Sequence, residues 1–186
     1  MIFISSSNKW LLLADMHLDK YAYDDKREDA VIESLRTAPD EYGLIIIGDF
    51  LSPGFSLQDA RIYHSLLMNE ILKRKTIFLN GNNDPYIGYD AASIFNRDLN
   101  EYIKIKHGHT VPKLVCSFFN IFKIKKDIDV TWKKREKLDK AFRLLSFLNK
   151  RKDIVIGHYH FEYFDDDHFV GVLAPRKIYY FDRLFK

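Results

Sequence analysis

Five short groups of polar residues carry the chemistry open to this sequence: Asp15-Met16-His17, Asp49, Asn80-Gly81-Asn82-Asn83-Asp84, His107-Gly108-His109 and His158-Tyr159-His160. Carboxylate, imidazole and amide oxygen are hard-to-borderline ligands, suited to Mn, Fe, Zn, Co or Ni rather than to Cu(I) or an iron–sulfur cluster. The single cysteine, Cys116, excludes a cysteine-rich zinc site and an internal disulfide, and fits a reducing compartment. Metal here must be held by Asp, His and Asn.

Any one of these residues alone would be an ordinary surface polar group; their common setting gives them weight. Leu11-Leu12-Leu13-Ala14 runs into Asp15, Ile45-Ile46-Ile47-Gly48 into Asp49, Ile77-Phe78-Leu79 into Asn80, Lys104-Ile105-Lys106 into His107 and Ile154-Val155-Ile156-Gly157 into His158. Short aliphatic runs of this kind read as buried strands, and their carboxyl ends are where open α/β sheets place their sites. In an extended segment side chains alternate, so Asp-X-His and His-X-His each point two ligands to one side. A glycine beside a proposed ligand, as at Gly48 and Gly81, permits a tight turn.

The strands expected on this basis are Trp10 to Ala14, Leu44 to Ile47, Thr76 to Leu79, Ile103 to Ile105, Ile154 to Ile156, Phe169 to Leu173 and Ile178 to Phe181, the last two forming a hairpin. Between them, Arg27 to Ala38 places Val31, Ile32, Leu35 and Ala38 on one helical face, and Pro39 ends it. Ser56 with Asp59 reads as a capping box, followed by the stripe Ala60, Tyr63, Leu67 and Ile71. Leu138, Phe142, Leu145 and Leu148 predict a third helix over 131–149, and 110–130 has no clear period. Strands alternating with helices give an α/β architecture, read as one domain over 1–186.

The order Asp-X-His, Gly-Asp, Gly-Asn-X-Asp, His-Gly-His and Gly-His-X-His, spread from Asp15 to His160, resembles the signature of the calcineurin-like metallophosphoesterase family. The resemblance implies a four-layer αββα sandwich and a site for two divalent metal ions. Manganese is the first candidate, with Fe, Zn, Ni and Co behind it. Carried over by motif position, Asp15, His17 and His160 would bind the first ion, Asn82, His107 and His158 the second, and Asp49 both. A hydroxide bridging the two ions would then hydrolyse a phosphate ester without a covalent enzyme intermediate.

One position departs from the family pattern. Gly-Asn-His-Asp is common there, its His protonating the leaving oxygen, whereas Asn83 stands in that place here. An amide donates a hydrogen bond but transfers no proton near neutral pH. The small phosphodiesterase-like branch of the family also lacks this His, so the expected substrate is a phosphodiester; His109 or a metal-bound water is the substitute acid to consider. Two rivals stand beside this reading: a non-catalytic scaffold on the same fold, and a phosphomonoesterase.

Net charge is +3, but 121–152 holds twelve Lys or Arg against four Asp or Glu, which is +8 and leaves −5 for the rest. That basic segment is a candidate surface for nucleic acid or an anionic head group, set against the solvated face of an amphipathic helix. No apolar run approaches the roughly 20 residues of a membrane span, and no signal-like start is present, so a cytoplasmic protein is expected. His64 and His168 read as surface histidines, and Asp165-Asp166-Asp167 as a solvated turn.

Overall fold

The computed structural model describes residues 1–4, 9–20, 25–96, 100–108, 154–158, 162–165 and 170–184. Ten strands lie among them: β1 (Ile2–Ile4), β2 (Trp10–Ala14), β3 (Gly43–Ile47), β4 (Thr76–Leu79), β5 (Ala92–Asn96), β6 (Glu101–Lys106), β7 (Ile154–Ile156), β8 (Tyr163–Asp165), β9 (Val170–Val172) and β10 (Ile178–Tyr180). The helices are α1 (Asp25–Thr37), α2 (Leu57–Tyr63) and α3 (Ser65–Leu72).

The strands form two sheets, ordered β10-β2-β3-β4 and β1-β5-β6-β7-β9-β8. In the first, β2, β3 and β4 run parallel, as do β6 and β7 in the second. Both faces of β2 and β3 are covered, which is why these strands read as unbroken apolar runs. Leu11, Leu13, Leu44 and Ile46 pack outward against Val31, Ile32 and Leu35 of α1 and Leu67, Met68 and Ile71 of α3. Leu12, Ala14, Ile45 and Ile47 point the other way, onto Ile94, Ile103, Ile105 and Val155 of the second sheet. Helix, sheet and sheet thus stack in order, an α/β sandwich in which β2 and β3, which end at Asp15 and Asp49, are buried throughout. No described helix is long and apolar enough to cross a membrane.

The strands read from β-branched and aliphatic runs fall where expected. β1, β5 and β8 were not foreseen: two have three residues each, and Ala92–Asn96 mixes small and polar residues. The hairpin expected of the last two strands is a correction. β9 pairs with β7 and β8 in the six-stranded sheet, while β10 runs antiparallel to β2 in the other. Pro175 and Arg176, the latter with a φ of 54°, carry the chain across the sandwich instead of turning it back.

The Ser56–Asp59 capping box forms on both sides, with Ser56 Oγ accepting from Asp59 N at 3.1 Å and Asp59 Oδ2 accepting from Ser56 N at 3.0 Å. The stripe after it is interrupted. His64 leaves the helical region with φ −123° and ψ 43°, separating α2 from α3 and turning Tyr63 out to 52% exposure. His64 itself is buried, contrary to the surface position expected of it. Its Nδ1 lies 2.8 Å from Glu28 Oε2, and its Nε2 donates to the Asp19 carbonyl at 2.9 Å. The helix expected over 131–149, the basic segment 121–152, His109, His160 and His168 lie outside the described residues.

One side chain closes the helical layer. Arg74 donates through Nη1 to Pro39 and Tyr42 carbonyls (2.8 and 3.0 Å) and through Nη2 to those of Leu35 and Ala38 (2.6 and 2.7 Å), satisfying the open end of α1. A hydrogen bond to a charged group contributes about 1.5–3 kcal/mol, so Arg74→Ala should lower the unfolding free energy by at least that much. Arg74→Lys should recover less than half, because an ammonium lacks the planar fork of donors. Chemical denaturation measures both, and an alanine variant with an unchanged midpoint would contradict this account.

Candidate metal centre

The carboxyl ends of β2, β3, β4, β6 and β7 meet at one end of the two sheets, and each delivers part of a polar cluster. Asp15 follows β2, with its carboxylate fully buried and Oδ2 accepting from His158 N at 2.8 Å. His17 lies two residues on, its N–H donating to the Asp49 carbonyl at 2.8 Å. The two do not share a side by strand alternation, as the sequence reading supposed. Both adopt left-handed backbone, φ 53° and 50°, so the chain coils tightly around the site. Asp49 (φ 43°) and His158 (φ 74°) do the same after β3 and β7.

Asp49 stands at the centre. Its Oδ1 accepts from Asn83 N at 2.9 Å and its Oδ2 from Asn83 Nδ2 at 3.0 Å, with His107 Nε2 3.4 Å and His17 Nε2 4.0 Å from Oδ2. The loop after β4 must approach this carboxylate closely. A Cβ at Gly81 would collide with the Asp49 backbone nitrogen and Oδ1, so glycine is required by space. Asp84 locks the same loop, accepting from the N–H groups of Asp49 (3.0 Å), Phe50 (2.7 Å), Leu51 (3.0 Å) and Gly81 (2.9 Å).

His107 is oriented from behind. Its Nδ1 donates to the Ile47 carbonyl at 3.1 Å, turning Nε2 toward Asn82 Oδ1 (3.2 Å) and His158 Nδ1 (3.1 Å). Such a carbonyl partner fixes the tautomer and aims the other nitrogen of a ligating His. Asn82 keeps its Oδ1 on this side because its Nδ2 donates to Asn83 Oδ1 at 3.0 Å.

Burial and hydrogen bonding separate the carboxylates. Burial pushes Asp15 from 3.8 up to about 7, against the opposing pull of His107 and the His158 N–H. Burial acts on Asp49 too, but hydrogen bonds from His107 and Asn83 and the nearby imidazoles outweigh it and hold Asp49 down at about 2. Burial disfavours a charged His107, yet the Asp49 bond and the Asp15 charge raise its pKa. The result is a buried cluster short of positive charge.

Asp15, His17, Asp49, Asn82, Asn83, His107 and His158 therefore come together. Two triads can be drawn, Asp15–His17–Asp49 and Asp49–His107–His158, with one ligand atom of each residue lying within 4.8 Å of the others in its triad. They share Asp49. Sequence reading assigned Asp84 no task although it lies in the Gly-Asn-X-Asp motif, and gave no sign of Ser52, whose Oγ donates to the His17 carbonyl at 3.1 Å.

The shifted groups dictate how the metal-free protein responds to pH. With Asp15 raised from 3.8 to about 7, the native state keeps a proton that the unfolded chain has released, so stability falls as pH rises through that window. His107, also raised, acts in the same sense; Asp49, lowered, opposes only in strong acid, below its ordinary value of 3.8. Chelator-treated protein should lose thermal stability between about pH 5 and about pH 7.5. Asp15→Asn should flatten the loss, and a midpoint that rises with pH would contradict the assignment.

A family model described as calcineurin-like phosphoesterase matches residues 9–181. Comparison with curated protein sequences gives no match. Among solved structures, a protein of unknown function from Aquifex aeolicus is similar with a TM-score of 0.47 and 15% identity, over 89% of this chain and 88% of the other. A conserved uncharacterized protein from Streptococcus pneumoniae TIGR4, described as a predicted phosphoesterase, has a TM-score of 0.36 and 18% identity, over 89% and 70%. The family model spans nearly the whole sequence and every group of the polar cluster, and the chain belongs to the calcineurin-like phosphoesterase family.

Proposed function

We propose that the protein hydrolyses phosphodiesters with two divalent ions, one held by Asp15, His17 and Asp49 and the other by Asn82, His107, His158 and Asp49. The observation that carries this reading is the pair of triads sharing one carboxylate. The residues fit such ions: burial outweighs the pull of His107 and raises the fully buried Asp15 to about 7, and the donor set is the oxygen and imidazole type that Mn, Fe, Zn, Co and Ni accept. His160, assigned to the first ion by motif position, completes the set in this proposal. Two such ions supply a nucleophile from water at neutral pH and stabilise charge on the phosphoryl oxygens.

The chain's own residues determine the rest. Asp49 is held at both oxygens by Asn83 and serves both ligand sets, so its loss disrupts the spacing between them. His107 is fixed through Nδ1 and presents Nε2. Asn83 Nδ2 lies between Asp49 Oδ2 (3.0 Å) and His17 Nδ1 (3.2 Å), at the edge of the shared carboxylate. From there an amide can donate to a phosphoryl oxygen but cannot protonate a leaving group, which favours diesters with acidic leaving alcohols over alkyl monoesters.

Hydrolysis of bis-p-nitrophenyl phosphate should require added Mn²⁺ and cease on chelation. Asp49→Ala should reduce it more than about 100-fold and further than His17→Ala, because one carboxylate serves both ions. A wild-type protein that binds no metal and cleaves no ester would favour a scaffold on the same fold.

Rates across aryl and alkyl diesters should fall steeply as leaving-group pKa rises. Asn83→His should flatten that dependence and speed the poorest leaving groups by about 10²- to 10⁴-fold, the usual range for general acid catalysis. A shallow wild-type slope would show that another acid already acts, His109 being the first to test.

A further inference from the structure

Arg176 lies outside every sequence motif and outside both triads, yet it touches the ligand loop twice. It sits in the passage 173–177 between β9 and β10, half-buried, with a left-handed φ of 54°. A long non-glycine side chain in that region is uncommon and persists only where its surroundings over-determine it. The surroundings here are the two carbonyls that flank Asp15. Arg176 donates from its backbone N–H to the Ala14 carbonyl at 3.0 Å, and from Nε to the Met16 carbonyl at 3.0 Å.

Those carbonyls belong to the peptide groups that precede Asp15 and His17. The orientation of the preceding peptide is what φ measures, so pinning the two carbonyls sets φ at both residues. The other edges of the same peptides are held as well: Asp15 N–H donates to the Gly48 carbonyl at 3.3 Å and His17 N–H to the Asp49 carbonyl at 2.8 Å. Each peptide is clamped between the loop after β3 on one side and Arg176 on the other. Both clamped residues are left-handed, φ 53° and 50°, and would relax away from that geometry if one side let go.

We infer that Arg176 is a positioning residue that holds the Asp15–His17 half of the cluster in its ligating geometry. This rests on the two-ion reading above. The bond from Nε is charge-assisted, but the task described needs only a donor at that atom, and this distinguishes the role from one in which the guanidinium meets substrate.

Gln carries an N–H donor after the same three side-chain carbons and has no charge; Met matches that length with no strong donor. Mn²⁺ alone is titrated into chelator-treated wild type, Arg176→Gln and Arg176→Met, with free Mn²⁺ followed by its magnetic resonance signal and each protein first shown to unfold cooperatively. Arg176→Met should weaken one of two binding steps by about 10- to 100-fold, the range usual for partners that orient metal ligands, and leave the other unchanged. Arg176→Gln should bind as wild type does. In turnover the Met variant should lose kcat at saturating Mn²⁺ with little change in KM.

Two normal binding steps in Arg176→Met would overturn the inference. Equal loss in both variants would overturn it too, since charge and not the donor would then matter. Wild type that binds no Mn²⁺ would defeat the two-ion reading itself, an outcome read in a separate arm of the same experiment.

Discussion

Left-handed backbone at the ends of three strands is the constraint on which this structure turns. Of the six described non-glycine residues with positive φ, four are Asp15, His17, Asp49 and His158. L-residues avoid that region because Cβ crowds the backbone, so each such turn costs of order 1–3 kcal/mol. The cost is met by hydrogen bonds that leave the loops no alternative. Asp84 gathers three N–H groups of the turn after β3 and one of the turn after β4, and His17, Leu18 and Ser52 knit the loop after β2 to the former. A strand that simply ran on would carry these side chains past one another. Coiling back at once brings five chain segments to a single point.

Such turns can be sustained only on a rigid base. β2 and β3 are buried on both faces, and neighbouring residues feed opposite cores, one beneath the helices and one between the sheets. Register is then fixed strongly, since a one-residue slip would exchange the two cores. The two sheets also divide the polar cluster: β2, β3 and β4 lead into Asp15, His17, Asp49, Asn82 and Asn83, while β6 and β7 lead into His107 and His158. Of the two triads, Asp15–His17–Asp49 follows strands of one sheet, and Asp49–His107–His158 joins both. The site belongs to the seam.

Burial at that seam creates the electrostatic imbalance the proposed ions would relieve. Asp15, Asp49 and Asp84 are all nearly inaccessible; burial raises Asp15 and Asp84, while the imidazoles beside Asp49 reverse its effect there. Asp49 is held ionised by several N–H donors, whereas Asp15, for which burial dominates, is pushed toward neutrality. In the two-ion reading, such a cluster trades stability of the metal-free protein for affinity. That trade is common where function needs an environment that folding alone would avoid.

The sequence by itself determined the family and the strands that lead into the polar cluster. Trp10–Ala14 falls at its expected bounds because burial on both faces writes itself as an apolar run, Thr76–Leu79 and Ile154–Ile156 fall at theirs as well, and the Ser56–Asp59 cap because its partners are three residues apart. Seven of the polar residues that follow those runs lie together in the structure. Tertiary structure alone decided the remainder. Which sheet receives β9 and which β10 depends on pairing between residues far apart, as Tyr179 with Leu12, and no local period records it. His64 reads as a surface residue from its neighbours, but Glu28 and the Asp19 carbonyl draw it inside. Arg176 resembles any loop arginine until the crossing of the sheets sets it beside Ala14 and Met16. Local sequence encodes periodicity and caps; contacts between distant segments are made only when the whole chain is packed.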